Sequence, residues 1–268
     1  MNRPFILRLL PERARLSFWS RYYRGNAKQW LPLYESAPID YAPAKMDLVP
    51  GDAISDCIAF TGLYERAFTK RLAKAARRGG LLIDVGANLG YFSLLWLASN
   101  PANECIAFEA SPRIVPILRR NIAQNGFEAR IRVIPLAAGH KPGRVPFELG
   151  PAEQSGWGGL LLEKTGESIE VDVVRIDDVV PSDRPIALLK VDTEGADTWA
   201  LMGAERLLKC GAVQEVWFEQ NKPRMEDLGI APDAAREYLT SVGYTSRPAG
   251  DTRREVTEWQ AMRAGMGA

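Results

Sequence analysis

Two glycines, Gly86 and Gly90, interrupt the segment L-L-I-D-V-G-A-N-L-G-Y-F (residues 81–92) between an apolar run and a helix-forming stretch. Such a turn lets the backbone bend tightly and lets a ligand approach where a Cβ would block it. Free N–H groups at the start of the following helix then face an anion such as a carboxylate. A dinucleotide-binding turn needs G-x-G-x-x-G. Counted from Gly86, its second and third glycine positions hold Asn88 and Tyr91, and the phosphate-binding G-x-x-x-x-G-K-[ST] motif does not occur. What remains is D-x-G-x-N-x-G with Asp84 inside the apolar run, a pattern suited to a ligand bearing an ammonium and a carboxylate. Glu109 follows Asp84 by 25 residues. A carboxylate there can accept both hydroxyls of a ribose, as an acidic residue does about 20 residues past a dinucleotide turn. Its alternative is to cap the next helix, a task for which Ser111 is suited.

These residues need a scaffold, and the pattern of the chain supplies one. Leu81–Val85 is a short apolar run bounded by glycine, hence a buried strand. Residues 91–98 read as a helix and 104–109 as a second strand. Ser111-Pro112 reads as a cap before a helix with Ile114, Ile117, Leu118 and Ile122 as its apolar stripe, closed by Asn125-Gly126. Residues 130–135 give a third strand. Strands alternating with helices of this length predict right-handed βαβ units and a parallel sheet, with ligands outside the carboxyl ends of the strands. The rhythm returns at 186–192, a run ending in Lys190-Val191-Asp192. A helix over 195–209, a strand over 212–219 ending at Glu219, and a helix over 234–242 follow. Residues from Tyr244 onward and 255–260 form a terminal antiparallel pair.

The middle of the chain departs from that rhythm. Val145, Phe147 and Leu149 alternate with polar positions, as do Ile169, Val171 and Val173, which predicts an antiparallel hairpin inserted in the parallel fold. Between them, residues 150–167 are glycine-rich and contain Ser155, Gly156, Trp157, Gly158 and Gly159; a loop this long in a compact domain is functional or disordered. Upstream, residues 54–78 read as one helix, with Leu63, Phe68, Leu72 and Ala76 at helical spacing, stopped by Gly79-Gly80.

The 268 residues carry 34 Lys and Arg against 33 Asp and Glu, a net charge of +1, with 46% hydrophobic and 25% charged residues. That balance fits an α/β globular protein and provides no broad basic footprint for nucleic acid. Cys57, Cys105 and Cys210 show no paired spacing and His140 is the single histidine, so no zinc site is expected. With no apolar stretch of membrane-spanning length and no secretory signal, a cytoplasmic location is expected. The first 45 residues carry eight basic residues against three acidic ones, interleaved with Phe5, Phe18, Trp19, Tyr22, Tyr23 and Trp30. This is either a helical extension packed on the main domain with solvated arginines, or a basic arm that touches a membrane surface, an anionic substrate or a partner. Residues 1–50 are therefore separated from a main domain over 51–268.

In order along the chain, D-V-G-A-N-L-G-Y-F-S-L-L, A-F-E-A-S-P-R, L-R-R-N-I-A-Q-N-G, I-E-V-D-V-V-R-I-D-D-V and L-L-K-V-D-T-E-G-A-D resemble the successive motifs of the FkbM-type family of S-adenosylmethionine-dependent methyltransferases. The resemblance implies the class I methyltransferase fold, a Rossmann-like, mostly parallel seven-stranded sheet with its last strand antiparallel. It implies methyl transfer from S-adenosylmethionine to a hydroxyl of a small molecule, sugar or natural product. Carried over by position, Asp84, Gly86, Asn88 and Gly90 would hold the methionine end, Glu109 the ribose, and Ala137 would lie near the adenine. With their motif neighbours, the expected cofactor-binding set also includes Glu65, Ala87, Tyr91, Ala110, Ser111 and Asp192.

An aliphatic hydroxyl is a poor nucleophile, and a positioned base adds about a hundred- to ten-thousandfold to its reactivity. Asp192, at the carboxyl end of its strand, is the expected base; its alternatives are to bind the next helix N-terminus or the cofactor. Lys190 shares its strand face and would stabilise a carboxylate or alkoxide. Glu219 would bind acceptor hydroxyls, and Glu194 completes the helix start or contacts substrate. His140 stands where the family commonly has an acidic residue and is a second candidate base or an exposed loop histidine. Trp157 would stack on an acceptor ring or pack on the hairpin. Tyr64-Glu65 would close the cofactor pocket. The competing readings are a binding protein that kept the pocket without turnover, an NAD-dependent oxidoreductase, which the failed glycine spacing disfavours, and a nucleic-acid base methyltransferase, disfavoured because neither N-P-P-Y nor a Pro-Cys pair occurs.

Overall fold

A computed structural model of the chain describes residues 3–23, 27–151, 153–166 and 168–263. Helices α1 (Phe5–Leu9) and α2 (Glu12–Tyr22) lead into a two-strand ribbon, β1 (Ala37–Pro38) and β2 (Lys45–Met46), and then α3 (Ala53–Thr61) and α4 (Arg66–Ala76). The central alternation is β3 (Leu81–Val85), α5 (Tyr91–Ser99), β4 (Glu104–Phe108), α6 (Val115–Ala123) and β5 (Ile131–Ile134). Strands β6 (Ala137–Ala138), β7 (Gly143–Glu148), β8 (Gly159–Leu160) and β9 (Ile169–Val174) follow, then α7 (Ile176–Val179) and β10 (Ile186–Val191). The chain continues through α8 (Asp197–Met202), α9 (Glu205–Lys209), β11 (Glu215–Asn221), α10 (Lys222–Asp227), α11 (Ala234–Ser241), β12 (Tyr244–Pro248) and β13 (Val256–Arg263).

Seven strands form the central sheet in the order β12-β13-β11-β10-β3-β4-β5. Its inner pairs are parallel, and β13 runs antiparallel to both β11 and β12. This is the parallel core that the strand–helix alternation predicts, within the seven-stranded sheet that the family resemblance implies. Between β3 and β10 the order of strands reverses direction, which opens a crevice at their carboxyl ends. All five residues of β3 are buried. Leu82 packs with Leu188 and Trp217 on one face of the sheet, while Leu81, Ile83 and Val85 pack with Leu189, Val191 and Phe218 on the other.

The inserted hairpin is present as β7 paired antiparallel with β9, but it belongs to a four-stranded sheet, β6-β9-β7-β8. Three further departures from the sequence reading have identifiable causes. The helix expected over residues 54–78 is two helices, because Gly62 takes φ +77° and its carbonyl accepts from Asp40 N, leaving no room for a Cβ beside the Asp40 carboxylate. The helix expected over 195–209 is divided near Gly203, because the Asp177 carboxylate accepts from Arg206 N and Leu207 N and so caps α9 as a separate helix. The helix expected to open at Ser111-Pro112 begins at Val115, and Ser111 serves it through its carbonyl, which accepts from Ile114 N and Val115 N.

The basic N-terminal segment packs on the rest of the chain. Leu7, Leu33, Tyr34, Met46 and Leu48 lie in one buried cluster with Ile58, Phe60, Leu89 and Trp96. Its arginines are not uniformly solvated. Arg3 and Arg15 reach Asp40 at 3.2 and 2.8 Å, whereas Arg8, Arg13 and Arg21 are exposed, and Arg24 lies outside the described residues. Because Met46 is fully buried in this shared cluster, Met46→Ala should lower the unfolding free energy by about 2–5 kcal/mol in urea denaturation. An unchanged midpoint would mean that the segment contributes nothing to the main cooperative unit.

Candidate functional site

The crevice at the carboxyl ends of β3 and β10 holds a cleft of about 1030 Å³, open solvent at its mouth included. Its floor is the turn after β3. Gly86 has φ +74°, and a Cβ there would overlap the Asp192 carbonyl of the adjacent strand. Gly86 N and Ala87 N both donate to the Phe108 carbonyl at 3.0 Å, which ties the turn to the end of β4. Asn88 adopts φ +50°, a conformation asparagine tolerates better than most residues.

Glu109 locks that turn to the next one. Its Oε2 accepts from Asn88 N and its Oε1 from Ser111 N, each at 2.8 Å. Burial pushes its pKa up, and these two N–H groups oppose the shift. Ser111 Oγ is also buried and has no hydrogen-bond partner. Both residues line the cleft, together with Ala110, Leu136, Ala137 and Ala138.

Behind the floor, Asp84 and Lys190 are direct neighbours in register and both are buried. Lys190 Nζ lies 3.3 Å from Asp84 Oδ1, 3.3 Å from Asp192 Oδ2 and 3.4 Å from the Gly86 carbonyl. The other oxygen of Asp84 accepts from Ser93 Oγ at 2.6 Å. Burial alone would lower the Lys190 pKa, but the charges of Asp192, Asp84 and Glu65 outweigh it and raise the pKa.

The far end of the cleft is acidic. Glu65, Asp192, Glu194 and Glu219 line it, and Glu65 and Glu194 both sit at positive φ, +42° and +53°. Asn221 Nδ2 donates to Glu194 Oε2 at 2.8 Å, while Glu219 Oε1 is shut off from solvent and accepts no hydrogen bond. Asp197 holds the geometry from behind, accepting from Thr193 N and Oγ1 on one oxygen and from Glu219 N on the other. Burial and then the Asp192 charge push both Glu65 and Glu194 up to about 8, and the same causes take Asp197 to about 6 and Glu219 well above the usual carboxylate range. Among the described residues, one group of three carboxylates, Asp192, Glu194 and Glu219, brings oxygens within 4.8 Å of one another, with no histidine or cysteine among them.

Residues 153–160 cover the cleft, contributing Ser155, Gly156, Gly158 and Leu160 to its wall. They are strapped down at several points. Ser155 N donates to Asp52 Oδ1 at 2.6 Å, Ala53 N to the Glu153 carbonyl at 2.9 Å, and Arg224 Nη2 to the Trp157 carbonyl at 2.8 Å.

Of the residues singled out from the sequence, the cleft gathers Glu65, Gly86, Ala87, Asn88, Tyr91, Glu109, Ala110, Ser111, Ala137, Lys190, Asp192, Glu194 and Glu219. Four stand elsewhere. Asp84 is buried behind the floor, held by Ser93 and Lys190, and Gly90 lies under the turn, where a Cβ would press on Leu118. Trp157 is 55% exposed: the flanking glycines enter the wall while its indole stays outside. His140 packs its ring against Trp199 at 5.7 Å, away from the lining, and burial beside Lys141 and Arg175 lowers its pKa. Ile54, Phe147, Leu160 and Thr193 line the cleft without having been singled out. For Phe147 the apolar alternation was a signal; Ile54 arrives only through tertiary packing.

Residues 84–246, which carry most of these side chains though not Ile54 or Glu65, match the family model described as the methyltransferase FkbM domain, over more than half of the chain. The chain belongs to the FkbM methyltransferase family. It is an S-adenosylmethionine-dependent methyltransferase. Methyltransferase sdnD of Sordaria araneosa is 26% identical to this FkbM family member over 233 residues, covering 74% of this chain and 84% of that protein. The 31-O-demethyl-FK506 methyltransferase FkbM of Streptomyces tacrolimicus is 29% identical over 177 residues, covering 53% of this chain and 68% of that one. The crystal structure of methyltransferase FkbM from Methylobacillus flagellatus KT superposes with a TM-score of 0.48 at 15% identity, over 92% of this chain; the chain spans 60% of that structure's length.

The acidic end makes stability depend on pH in a defined direction. The folded protein keeps protons on Glu65 and Glu194 up to about pH 8, whereas the unfolded chain releases them near 4.5. The native state therefore binds more protons across that window, and stability falls as pH rises through it. The thermal midpoint should drop between pH 5 and pH 9, and Glu65→Gln should flatten the drop. A midpoint level or rising over this range would show these carboxylates already ionised in the folded protein.

Proposed function

We propose that this methyltransferase transfers a methyl group to a hydroxyl oxygen of a small molecule, sugar or natural product, with donor and acceptor both bound within residues 51–268. The observation that carries the reading is the polarity of one cleft. At one end a buried carboxylate, Glu109, stands beside the unpartnered Ser111 hydroxyl and the small apolar side chains of Ala137 and Ala138. At the other, Glu65, Asp192, Glu194 and Glu219 face the balancing charge of Lys190 alone among the lining residues.

S-adenosylmethionine fits that polarity in chemical terms. Glu109 has lone pairs left for a ribose diol, Ser111 Oγ supplies an unused hydroxyl, and the alanine wall would admit a flat base. The carboxylates at the far end would hold its two cationic groups, and the turn at Gly86–Asn88 would receive its carboxylate. When bound, it supplies an activated methyl on a positively charged sulfur. Every remaining task falls to the chain. Positioning contributes on the order of 7–11 kcal/mol for well-oriented reactants. Asp192 is open to the cleft and takes the proton from the acceptor hydroxyl, with Lys190 Nζ fixing the position of its carboxylate. Glu219 and Glu194 bind neighbouring acceptor hydroxyls. The strapped cover over residues 153–160 keeps water from the transfer. A relative named for a 31-O-demethyl substrate supports oxygen as the acceptor atom.

The decisive experiment incubates the enzyme with labelled S-adenosylmethionine and a panel of hydroxylated metabolites, and seeks by mass spectrometry a product that gains one labelled methyl in place of a hydroxyl hydrogen. Label recovered on nitrogen or carbon alone would refute the oxygen assignment. Asp192→Asn should cut turnover by about a hundred- to ten-thousandfold while cofactor Kd changes far less; near-normal turnover would remove the base. Glu109→Ala should weaken cofactor binding by about 1.5–3 kcal/mol, read by calorimetry, and unchanged affinity would take the ribose away from it.

A further inference from the structure

Helices α1 and α2 present an outer face that the catalytic reading leaves unused. Ten large hydrophobic side chains are exposed among the described residues, and three of them fall in the five-residue α1: Phe5 and Leu9 at 67% and Ile6 at 44%. Leu7, on the other side of the same helix, is fully buried in the core and fixes which face looks outward. On α2, Arg13 and Arg21 lie on one helical stripe through Ser17, and all three are exposed, as is Arg8 on α1. The remaining cations of this segment are committed inward, Arg3 and Arg15 to Asp40. Across residues 3–23 the single acidic residue is Glu12, and its carboxylate is engaged by Arg66 and Lys70. The exposed positions of these two consecutive helices therefore hold three apolar side chains and three arginines without an ion-pair partner among the described residues, and no free carboxylate.

We propose that this face docks on an anionic lipid surface, with Phe5, Ile6 and Leu9 entering the interface and Arg8, Arg13 and Arg21 lying against lipid phosphates. A short amphipathic helix with cations at its margin lies in the plane of the headgroups and buries its apolar side chains there. Each arginine near such a surface adds to the attraction, which salt weakens. A second copy of the chain is a poorer occupant, because a two-fold contact would set the same arginines against one another. None of these six residues lines the cleft, so surface binding would bring a catalytic domain to acceptors held at a membrane without touching the transfer chemistry.

The test is co-sedimentation of the full chain with vesicles of phosphatidylcholine alone or containing phosphatidylglycerol. Sedimentation with the anionic vesicles, little with the neutral ones, and release by salt are expected. The variant Arg8→Gln, Arg13→Gln, Arg21→Gln should lower partitioning by about a hundredfold, and Phe5→Ser, Leu9→Ser should abolish it. Both variants should keep unaltered cofactor affinity and thermal midpoint, which shows that they remain folded. Failure of the unaltered chain to sediment with anionic vesicles at low salt overturns the proposal, as does equal sedimentation of folded variants. A concentration-dependent dimer, lost in Phe5→Ser, Leu9→Ser with no vesicle binding by the parent, would assign the face to a second copy instead.

Discussion

One ammonium group organises the site. Lys190 Nζ sits among the Asp84 carboxylate, the Asp192 carboxylate and the Gly86 carbonyl, each at 3.3–3.4 Å, with almost no access to solvent. Burying a lone lysine would be prohibitive, and burying a lone Asp84 equally so. Each is tolerated because the other stands opposite it in register on the neighbouring strand. The pair stands one residue before the carboxyl ends of β3 and β10, directly behind the crevice. Its third contact, to the carbonyl of Gly86, links the buried charge to the turn that forms the floor of the cleft. The ion pair is thus better understood as a device of position than as a source of stability.

The balance of charge around Lys190 also explains the far end of the cleft. Burial first, and then the repulsion from Asp192 that one ammonium does not offset, keep Glu65, Glu194 and Glu219 protonated to higher pH. A site in this condition favours any ligand that brings positive charge, because the ligand replaces protons and relieves repulsion at once. The positive φ at Glu65 and Glu194 fits the same picture. Non-glycine residues in that region carry strain, which the surrounding packing must hold, and such strain gathers at functional sites. Here it brings two acidic side chains onto the same cleft wall from elements far apart in sequence.

How far all this was legible in the sequence follows from the range of the forces involved. Strand β3, its glycine turn and the helix after it were readable because each is specified locally, by an apolar run, backbone freedom and helical spacing. Glu109 and Asp192 were readable because strand ends in a parallel sheet converge on one crevice. The division of residues 54–78 into two helices was not, since it depends on Asp40 docking at Gly62 from outside the segment. Nor was the split near Gly203, imposed by a carboxylate on α7. Trp157 and His140 drew attention by residue type alone. Type says nothing about which way a loop faces: Trp157 turns outward, and His140 finds Trp199.

Glu109 shows why the readable part and the hidden part of the site meet in one residue. From the sequence it competes between two roles, helix capping and ribose binding, as though one excluded the other. In the folded chain its two oxygens each accept one backbone N–H, from Asn88 and from Ser111. A carboxylate offers roughly four acceptor positions, so these two bonds leave capacity facing the cleft. The bonds that hold the glycine turn and the segment before α6 in place also orient the carboxylate toward a ligand. A shorter Asp at this position would have to give up one contact or the other, and a neutral Gln would present one of the two N–H groups with a donor. The same geometry that shapes the floor therefore demands a glutamate at the end of β4, whatever ligand the cleft receives.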